Sequence, residues 1–150
     1  APMGSTLGPT AWSPDGRWLY FARRNSGTGL DLYRFDLSDG SEEQLSQGSE
    51  GEYGGLLSPD GQHLAHYLET EQRCDVAVLE LATGERRILT ADEPGWHYVT
   101  SWSPDGRLVA VHHFAPDFES STCRAVRVAD GWMVPLALPE GAREPTWGRQ

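Results

Sequence analysis

The sequence contains no lysine, so all 12 basic residues are arginines, and 22 acidic residues outnumber them. The resulting formal net charge of −10 repels phosphate backbones and anionic headgroups. We therefore expect no nucleic-acid partner and no attraction to anionic membranes. No apolar run approaches the roughly 18 residues that a membrane-spanning helix needs, so the sequence predicts no membrane span.

Cysteines and catalytic signatures are scarce as well. Cys74 and Cys123 are too few for a disulfide framework or a cysteine-rich zinc site. The chain has no Gly-x-Ser-x-Gly nucleophile elbow and no His-Glu-x-x-His or His-x-His spacing. The sequence therefore assigns no catalytic residue, no metal ligand and no cofactor, and it favours a non-enzymatic protein.

What the chain does contain is a repeat. Ser-Pro-Asp-Gly occurs at Ser13–Gly16, Ser58–Gly61 and Ser103–Gly106, at two equal intervals of 45 residues. Proline presets φ near −65° at the second position of a turn, and the aspartate side chain can accept hydrogen bonds from nearby backbone amides. Each copy is therefore interpreted as a tight turn and not as a catalytic loop.

Alternating apolar and polar residues surround each turn. One strand precedes each turn and a second strand follows it. A polar loop then leads to a third strand, and a glycine-containing turn leads to a short fourth strand. Four antiparallel strands, A to D, repeated at this length predict an all-β protein of three propeller blades with essentially no helix. The predicted segments are a tail (1–8), blade 1 (9–47), blade 2 (48–91), blade 3 (92–139) and an extra inner strand with a C-terminal tail (140–150).

The pattern Trp-Ser-Pro-Asp-Gly, followed by an alternating strand, a loop and a second strand ending in a glycine turn, resembles TolB-type (PD40, WD40-like) repeats. Similar blades occur in the propellers of prolyl-oligopeptidase-like peptidases and in oligogalacturonate lyases. The resemblance implies a β-propeller, and it suggests a periplasmic or extracytoplasmic location without excluding the cytoplasm.

Three blades form only half of a ring, because closed propellers have four to eight. We predict a homodimer that completes a six-bladed ring; the alternative is that the chain is a fragment of a longer propeller. Glu144–Trp147 reads as a further strand A, which competes with Pro9–Trp12 for the same place. Strand exchange between protomers is one solution, and the sequence does not decide between the two segments.

Antiparallel order places the A–B and C–D turns at one end of the blades and the longer B–C and D–A connections at the other. Long loops on a rigid scaffold are common binding sites. We predict that this loop face binds a protein or peptide through acidic and aromatic side chains; alternatively, the acids are merely solvated and the aromatics pack onto the blades. The candidate binding residues are Glu50, Glu52, Tyr53, Asp92, Glu93, Trp96, His97, Tyr98, Asp117 and Phe118.

The histidines leave a second hypothesis open. His112 and His113 are adjacent in a strand and point to opposite faces, so they cannot readily bind one ion together. His97 could join one of them, or His66 could, although a hydrogen-bonded buried histidine is the simpler interpretation. The resemblance to lyase propellers keeps a channel metal or a peptidase-associated substrate site as the alternative function. Cys123 is interpreted as a small core residue.

Overall fold

The computed structural model describes residues 6–27, 29–47 and 50–138. Every regular element within these ranges is a strand, which confirms the all-β prediction. No helix in the described part of the chain is long and apolar enough to cross a membrane. The strands are β1 (Thr6–Trp12), β2 (Trp18–Arg24), β3 (Leu30–Asp36), β4 (Glu42–Gln44), β5 (Gly51–Leu57), β6 (His63–Glu69), β7 (Cys74–Glu80), β8 (Arg86–Ile88), β9 (Trp96–Trp102), β10 (Leu108–Phe114), β11 (Ser121–Arg127) and β12 (Met133–Leu136).

The strands form three antiparallel units in sequence order, which we call blade 1 (β1–β4), blade 2 (β5–β8) and blade 3 (β9–β12). One parallel pairing, Cys74 with Trp96, joins β7 of blade 2 to β9 of blade 3. Strand β1 begins at Thr6, three residues before the predicted start of strand A. The predicted extra strand at Glu144–Trp147 lies outside the described residues.

The Ser-Pro-Asp-Gly motifs form closed turns. In each, the glycine N–H donates to the serine carbonyl at 2.8–2.9 Å, and the glycine has a φ of 70–73°. The serine hydroxyl donates to the aspartate carboxylate at 2.5–2.6 Å, which accepts a second hydrogen bond from the backbone N–H two residues later. The serine bond, followed by this backbone bond, lowers the pKa of Asp15, Asp60 and Asp105. These three carboxylates thus stabilise the turns through hydrogen bonds within each motif.

Apolar side chains fill the two spaces between neighbouring blades. Alternation gives β6 and β7 of blade 2 two apolar faces, one toward each neighbour. The first core joins blades 1 and 2 and consists of Tyr20, Ala22, Leu32, Leu64 and Leu79. The second joins blades 2 and 3 and consists of Ala65, Val76, Val78, Leu89, Val99, Trp102, Val109, Val111 and Val126.

Two side chains also form hydrogen bonds between blades 2 and 3. The Tyr67 hydroxyl donates to the Val99 carbonyl at 3.1 Å, and the Trp102 indole N–H donates to the Leu56 carbonyl at 2.9 Å. Burial is the main cause that raises the pKa of Tyr67 to about 12. These bonds fix β5 and β6 of blade 2 relative to β9 of blade 3.

Both cysteines are buried free thiols. Burial, with the charges of Glu69 and Asp75, raises the pKa of Cys74 to about 12, and burial also raises the pKa of Cys123. A thiol in such surroundings behaves as a small apolar side chain. This agrees with the interpretation of Cys123 as a core residue.

Candidate functional site

Five of the ten candidate binding residues lie in inner strands and not in loops. Glu52 and Tyr53 belong to β5, and Trp96, His97 and Tyr98 belong to β9. The loop assignment was wrong for these five because both strands begin before the predicted loops end. Strand alternation therefore decides which of these side chains are buried.

One face of blade 3 carries a group of neighbouring rings, Trp96, Tyr98, Phe114 and Phe118, which we call the aromatic surface. Trp96 and Tyr98 alternate with the buried His97 along β9, and Phe114 pairs with Trp96 across β10. Ring centroids lie 5.7 Å apart for Trp96 and Phe118, 6.2 Å for Phe114 and Phe118, and 6.0 Å for Tyr98 and Phe114. These separations are typical of aromatic side chains that stabilise each other.

Phe118 stands at the tip of the B–C loop of blade 3 with 58% of its surface exposed. Its φ is +59°, and it is the sole non-glycine residue of the described chain with a positive φ. The Phe118 N–H donates to the Ala115 carbonyl at 2.9 Å, and the Glu119 N–H donates to the Asp117 carboxylate at 3.0 Å. The loop thus holds a bulky ring in solvent at a conformational cost, a feature that clusters at functional sites.

A groove lies beside the aromatic surface, where the inner strands of blades 2 and 3 meet. Its lining includes backbone and side chains of both blades, chiefly Leu56, Tyr67, Tyr98, Thr100, His112 and Phe114. Tyr67 joins the rings of the two blades, because its centroid lies 5.7 Å from that of Tyr98. The groove and the aromatic surface form one continuous region.

The remaining candidates divide by exposure. Glu50, Asp92 and Asp117 are exposed, as the loop-face hypothesis requires. Tyr53 instead packs on Tyr67, with centroids 5.5 Å apart, and its hydroxyl donates to the Glu69 carboxylate. Burial and this hydrogen bond raise the pKa of Tyr53. Tyr53 therefore supports the inner strands and does not offer an exposed ring.

Glu52 is not a surface acid, since only 1% of it is exposed. One carboxylate oxygen lies 3.1 Å from Nε2 of the buried His66, and Arg86 donates to the other. The second nitrogen of His66 lies 3.3 Å from the Leu64 carbonyl. Burial opposes ionisation of Glu52, but His66 and Arg86 outweigh it and lower the pKa of this carboxyl. We call Glu52, His66 and Arg86 the closed triad.

His97 is also fully buried, so it cannot contact a partner at the surface. It belongs to a second polar group, Glu93, His97 and His113, which we call the interblade cluster and whose potential ligand atoms all lie within 4.8 Å of one another. His97 Nε2 lies 3.6 Å from Glu93 Oε2, and His113 Nδ1 lies 3.6 Å from Glu93 Oε1. The histidine rings stack with centroids 4.5 Å apart. Glu93, also predicted as a surface acid, is only partly exposed.

Backbone carbonyls orient both histidines of the interblade cluster. His97 Nδ1 lies 3.1 Å from the Cys74 carbonyl, and His113 Nε2 lies 3.1 Å from the Pro94 carbonyl. Because a carbonyl can only accept, each of these nitrogens carries a proton, and the other nitrogen of each ring faces Glu93. Burial, with His113 adding to it, lowers the pKa of His97, so this ring is neutral near neutral pH.

The histidine pairing is one of the predicted alternatives. His97 joins His113, whereas His112 lies on the opposite face of β10 beside Phe114, with centroids 4.3 Å apart. His66 belongs to the closed triad. The expectation that His112 and His113 point to opposite faces is therefore confirmed. Glu93, which was predicted as a binding residue of the loop face, lies beside His97 and His113 instead.

Comparison with known proteins identifies the fold. No protein-family model matches the sequence, and no curated protein is similar to it in sequence. TolB from Acinetobacter baumannii is 24% identical with a TM-score of 0.66, covering 84% of this chain and 31% of that one. A putative TolB from Agrobacterium tumefaciens is 18% identical with a TM-score of 0.70, covering 89% and 50%. An oligogalacturonate lyase in complex with manganese is 21% identical with a TM-score of 0.60, covering 85% and 38%.

These likenesses confirm the predicted resemblance at the level of the fold, which is that of TolB-type β-propellers. The chain spans half or less of the length of each of these three proteins. A shared propeller fold hosts many unrelated functions. The function of this chain therefore depends on its own sites.

Proposed function

We propose that this TolB-type propeller segment is a non-enzymatic binding module that takes a protein or peptide partner on the loop face of blade 3. The partner contacts the aromatic surface and the neighbouring groove. Aromatic side chains dominate the energy of protein interfaces because they bury a large rigid area at little cost in conformational entropy.

The observation that carries the proposal is the conformation of Phe118. A phenylalanine in the left-handed region costs about 1–2 kcal/mol, and its ring gains little from folding because more than half of it stays exposed. Trp96 and Phe114 pack beside it and give a partner a continuous apolar contact. If a partner buries the Phe118 ring on binding, both the strained backbone of Phe118 and the exposure of its ring in the free protein are explained.

Charge defines the partner further. Asp117 and Glu119 flank Phe118 and are exposed, and the whole chain has a net charge of −10. Opposite charge steers association and excludes partners of like charge. The expected ligand is therefore an arginine- or lysine-bearing segment with at least one apolar side chain.

Selection from a phage-displayed library of random 12-residue peptides tests this function. We expect enriched peptides to be basic and to bind the purified protein with micromolar dissociation constants, measured by fluorescence anisotropy of labelled synthetic peptides. Phe118→Ala should weaken binding at least tenfold, and raising the salt concentration should weaken it further, because exposed charges are screened.

Trp132→Ala is the matched control. Trp132 is exposed to nearly the same degree, 56%, but belongs to the C–D turn of blade 3 at the opposite end. It should leave the dissociation constant within twofold. Peptides that bind the Phe118→Ala variant as tightly as the wild type, or that lose affinity only with Trp132→Ala, would overturn the assignment of the loop face.

The same proposal includes assembly of the ring, which we expect a second copy of the chain to complete as a six-bladed homodimer. Support comes from the described strands, which form three four-stranded units where a closed propeller has four to eight blades. Multi-angle light scattering should give twice the chain mass of 16.6 kDa. A stable mass of 16.6 kDa across the micromolar range would contradict the dimer.

A further inference from the structure

We propose that the interblade cluster is a divalent-metal site in which Glu93 Oε2, His97 Nε2 and His113 Nδ1 are the ligands, and that Zn²⁺ is the ion it fits. The site is separate from the aromatic surface, because its histidines face blade 2 while the aromatic rings occupy the other side of β9 and β10. Two histidines and one carboxylate form a ligand set that zinc uses when a fourth position stays open.

The spacing of the donor atoms agrees with a tetrahedral ion. Zinc binds nitrogen and oxygen ligands at about 2.0–2.2 Å, which places tetrahedral ligand atoms about 3.4 Å apart. His97 Nε2 lies 3.6 Å from Glu93 Oε2, and the potential ligand atoms of all three residues lie within 4.8 Å of one another. Binding of one ion by all three donors would draw them together from separations of up to 4.8 Å.

The second observation is independent of this spacing. His97 Nε2 and Glu93 Oε2 are buried polar atoms without a hydrogen-bond partner, and they face each other. Leaving buried polar groups unsatisfied is costly. A cation between them satisfies both atoms at once.

The surroundings resemble the outer shell that orients metal ligands. The Cys74 and Pro94 carbonyls orient the two histidine rings so that their other nitrogens face Glu93. Arg124 forms an ion pair with Glu93 Oε1 at 2.6 Å, which leaves Oε2 for the ion. Such hydrogen bonds to the far side of each ligand are a regular feature of metal sites.

Asp75 is the other acid near the cluster, with its Oδ1 3.9 Å from His97 Nδ1. This oxygen already accepts hydrogen bonds from Arg73 at 2.7 Å and Thr90 at 2.8 Å. Asp75 therefore holds the D–A connection in place and is not counted among the ligands. Three protein ligands leave the fourth position to water.

Occupancy would also link the cluster to the loop face. Glu93 lies in the connection that leads into β9, and Gly95 and Trp96 lie between Glu93 and His97. An ion bound by both Glu93 and His97 would fix the backbone between them and thereby the position of Trp96 on the aromatic surface.

The test is isothermal titration of ZnCl₂ into full-length protein that has been treated with EDTA and dialysed. We expect one Zn²⁺ per chain with a dissociation constant in the micromolar range or below, and Mn²⁺ binding more weakly by the usual order of divalent metals. Co²⁺ should give the intense visible absorption of a four-coordinate ion. Glu93→Gln, His97→Gln and His113→Gln should each weaken binding at least tenfold.

His112→Gln is the matched control, because it changes the adjacent residue on the opposite face of β10 and should leave zinc affinity within twofold. Circular dichroism and thermal unfolding in EDTA establish that each variant is folded before titration. The absence of a one-to-one zinc complex in the wild type, or an equal loss of affinity in His112→Gln and His113→Gln, would overturn the assignment.

Discussion

The closed triad of blade 2 and the interblade cluster of blade 3 each combine a glutamate with buried histidine, and they differ in one respect. In the closed triad, both carboxylate oxygens of Glu52 and both ring nitrogens of His66 have polar partners. In the interblade cluster, Glu93 Oε2 and His97 Nε2 have none. Glutamate and histidine side chains can thus form a network in which every buried polar atom has a partner, or one in which buried polar atoms lack partners.

The presence or absence of hydrogen-bond partners distinguishes buried polar groups that stabilise the fold from buried polar groups that can bind a ligand. A satisfied buried network stabilises one packing arrangement and loses much when a partner is removed. An unsatisfied one lowers stability until something fills it. Changing equivalent residues in the two sites should therefore have unequal effects.

The largest difference is expected for the paired variants Glu52→Gln and Glu93→Gln. Glu52→Gln leaves Arg86 and His66 without their carboxylate and should lower the free energy of unfolding by about 3 kcal/mol. Glu93→Gln should cost less than about 1 kcal/mol in EDTA, because its amide can donate to the lone pair of His97 Nε2 and still accept from Arg124. Urea unfolding measures both. Equal losses would show that the two sites do not differ as described.

A smaller effect is expected at Gly95, whose φ is +123°. A Cβ there would lie 2.3 Å from the Phe114 carbonyl oxygen and 2.8 Å from His113 Nε2, so Gly95→Ala must displace the cluster. It should lower the unfolding free energy by about 2–3 kcal/mol and abolish one-to-one zinc binding in calorimetry.

Gly84→Ala is the control for this change. Gly84 has a φ of +75°, but a Cβ would meet nothing within 4 Å. It should therefore show only the backbone cost of about 1–2 kcal/mol and bind zinc normally. Similar zinc affinities for the two alanine variants would contradict the close fit at Gly95.

The smallest expected effect is a pH dependence of the folding stability that arises from the closed triad. The pKa of Glu52 is lower in the folded chain than its ordinary value of 4.5. Below pH 4.5 the unfolded chain takes up a proton that the folded chain resists, so stability falls as the pH falls. Thermal unfolding at pH 6 and pH 4 should show a smaller difference for Glu52→Gln than for the wild type. An unchanged difference would contradict this assignment.

The turns and strands could be predicted from sequence because each depends on local chemistry. Serine, aspartate and glycine of the Ser-Pro-Asp-Gly motif close their turn with their own atoms. Alternation then predicts the strands that follow. Burial of Glu52 and His97 was missed, although a signal existed: the two residues are 45 residues apart, the interval of the repeat. The same position of strand A is polar and buried in both blades.

The pairing of His97 with His113 could not be predicted in this way. The register of β9 and β10 shifts at an irregularity between Ala110 and Val111, and this shift decides which of the two adjacent histidines lies opposite His97. A β-bulge depends on how two strands pack together, so the alternating pattern of either strand alone does not reveal it.

The C–D turns, at the end opposite the aromatic surface, have a practical consequence. Gly40, Gly84 and Gly131 each donate a backbone hydrogen bond to the carbonyl four residues earlier, which completes the turn locally. Residues 82–85 are exposed, and exposed loop tips tolerate chain breaks and insertions. A reporter domain inserted between Thr83 and Gly84 should therefore leave the blade boundaries intact, so that ligand binding at the other end can be followed without labelling the site itself.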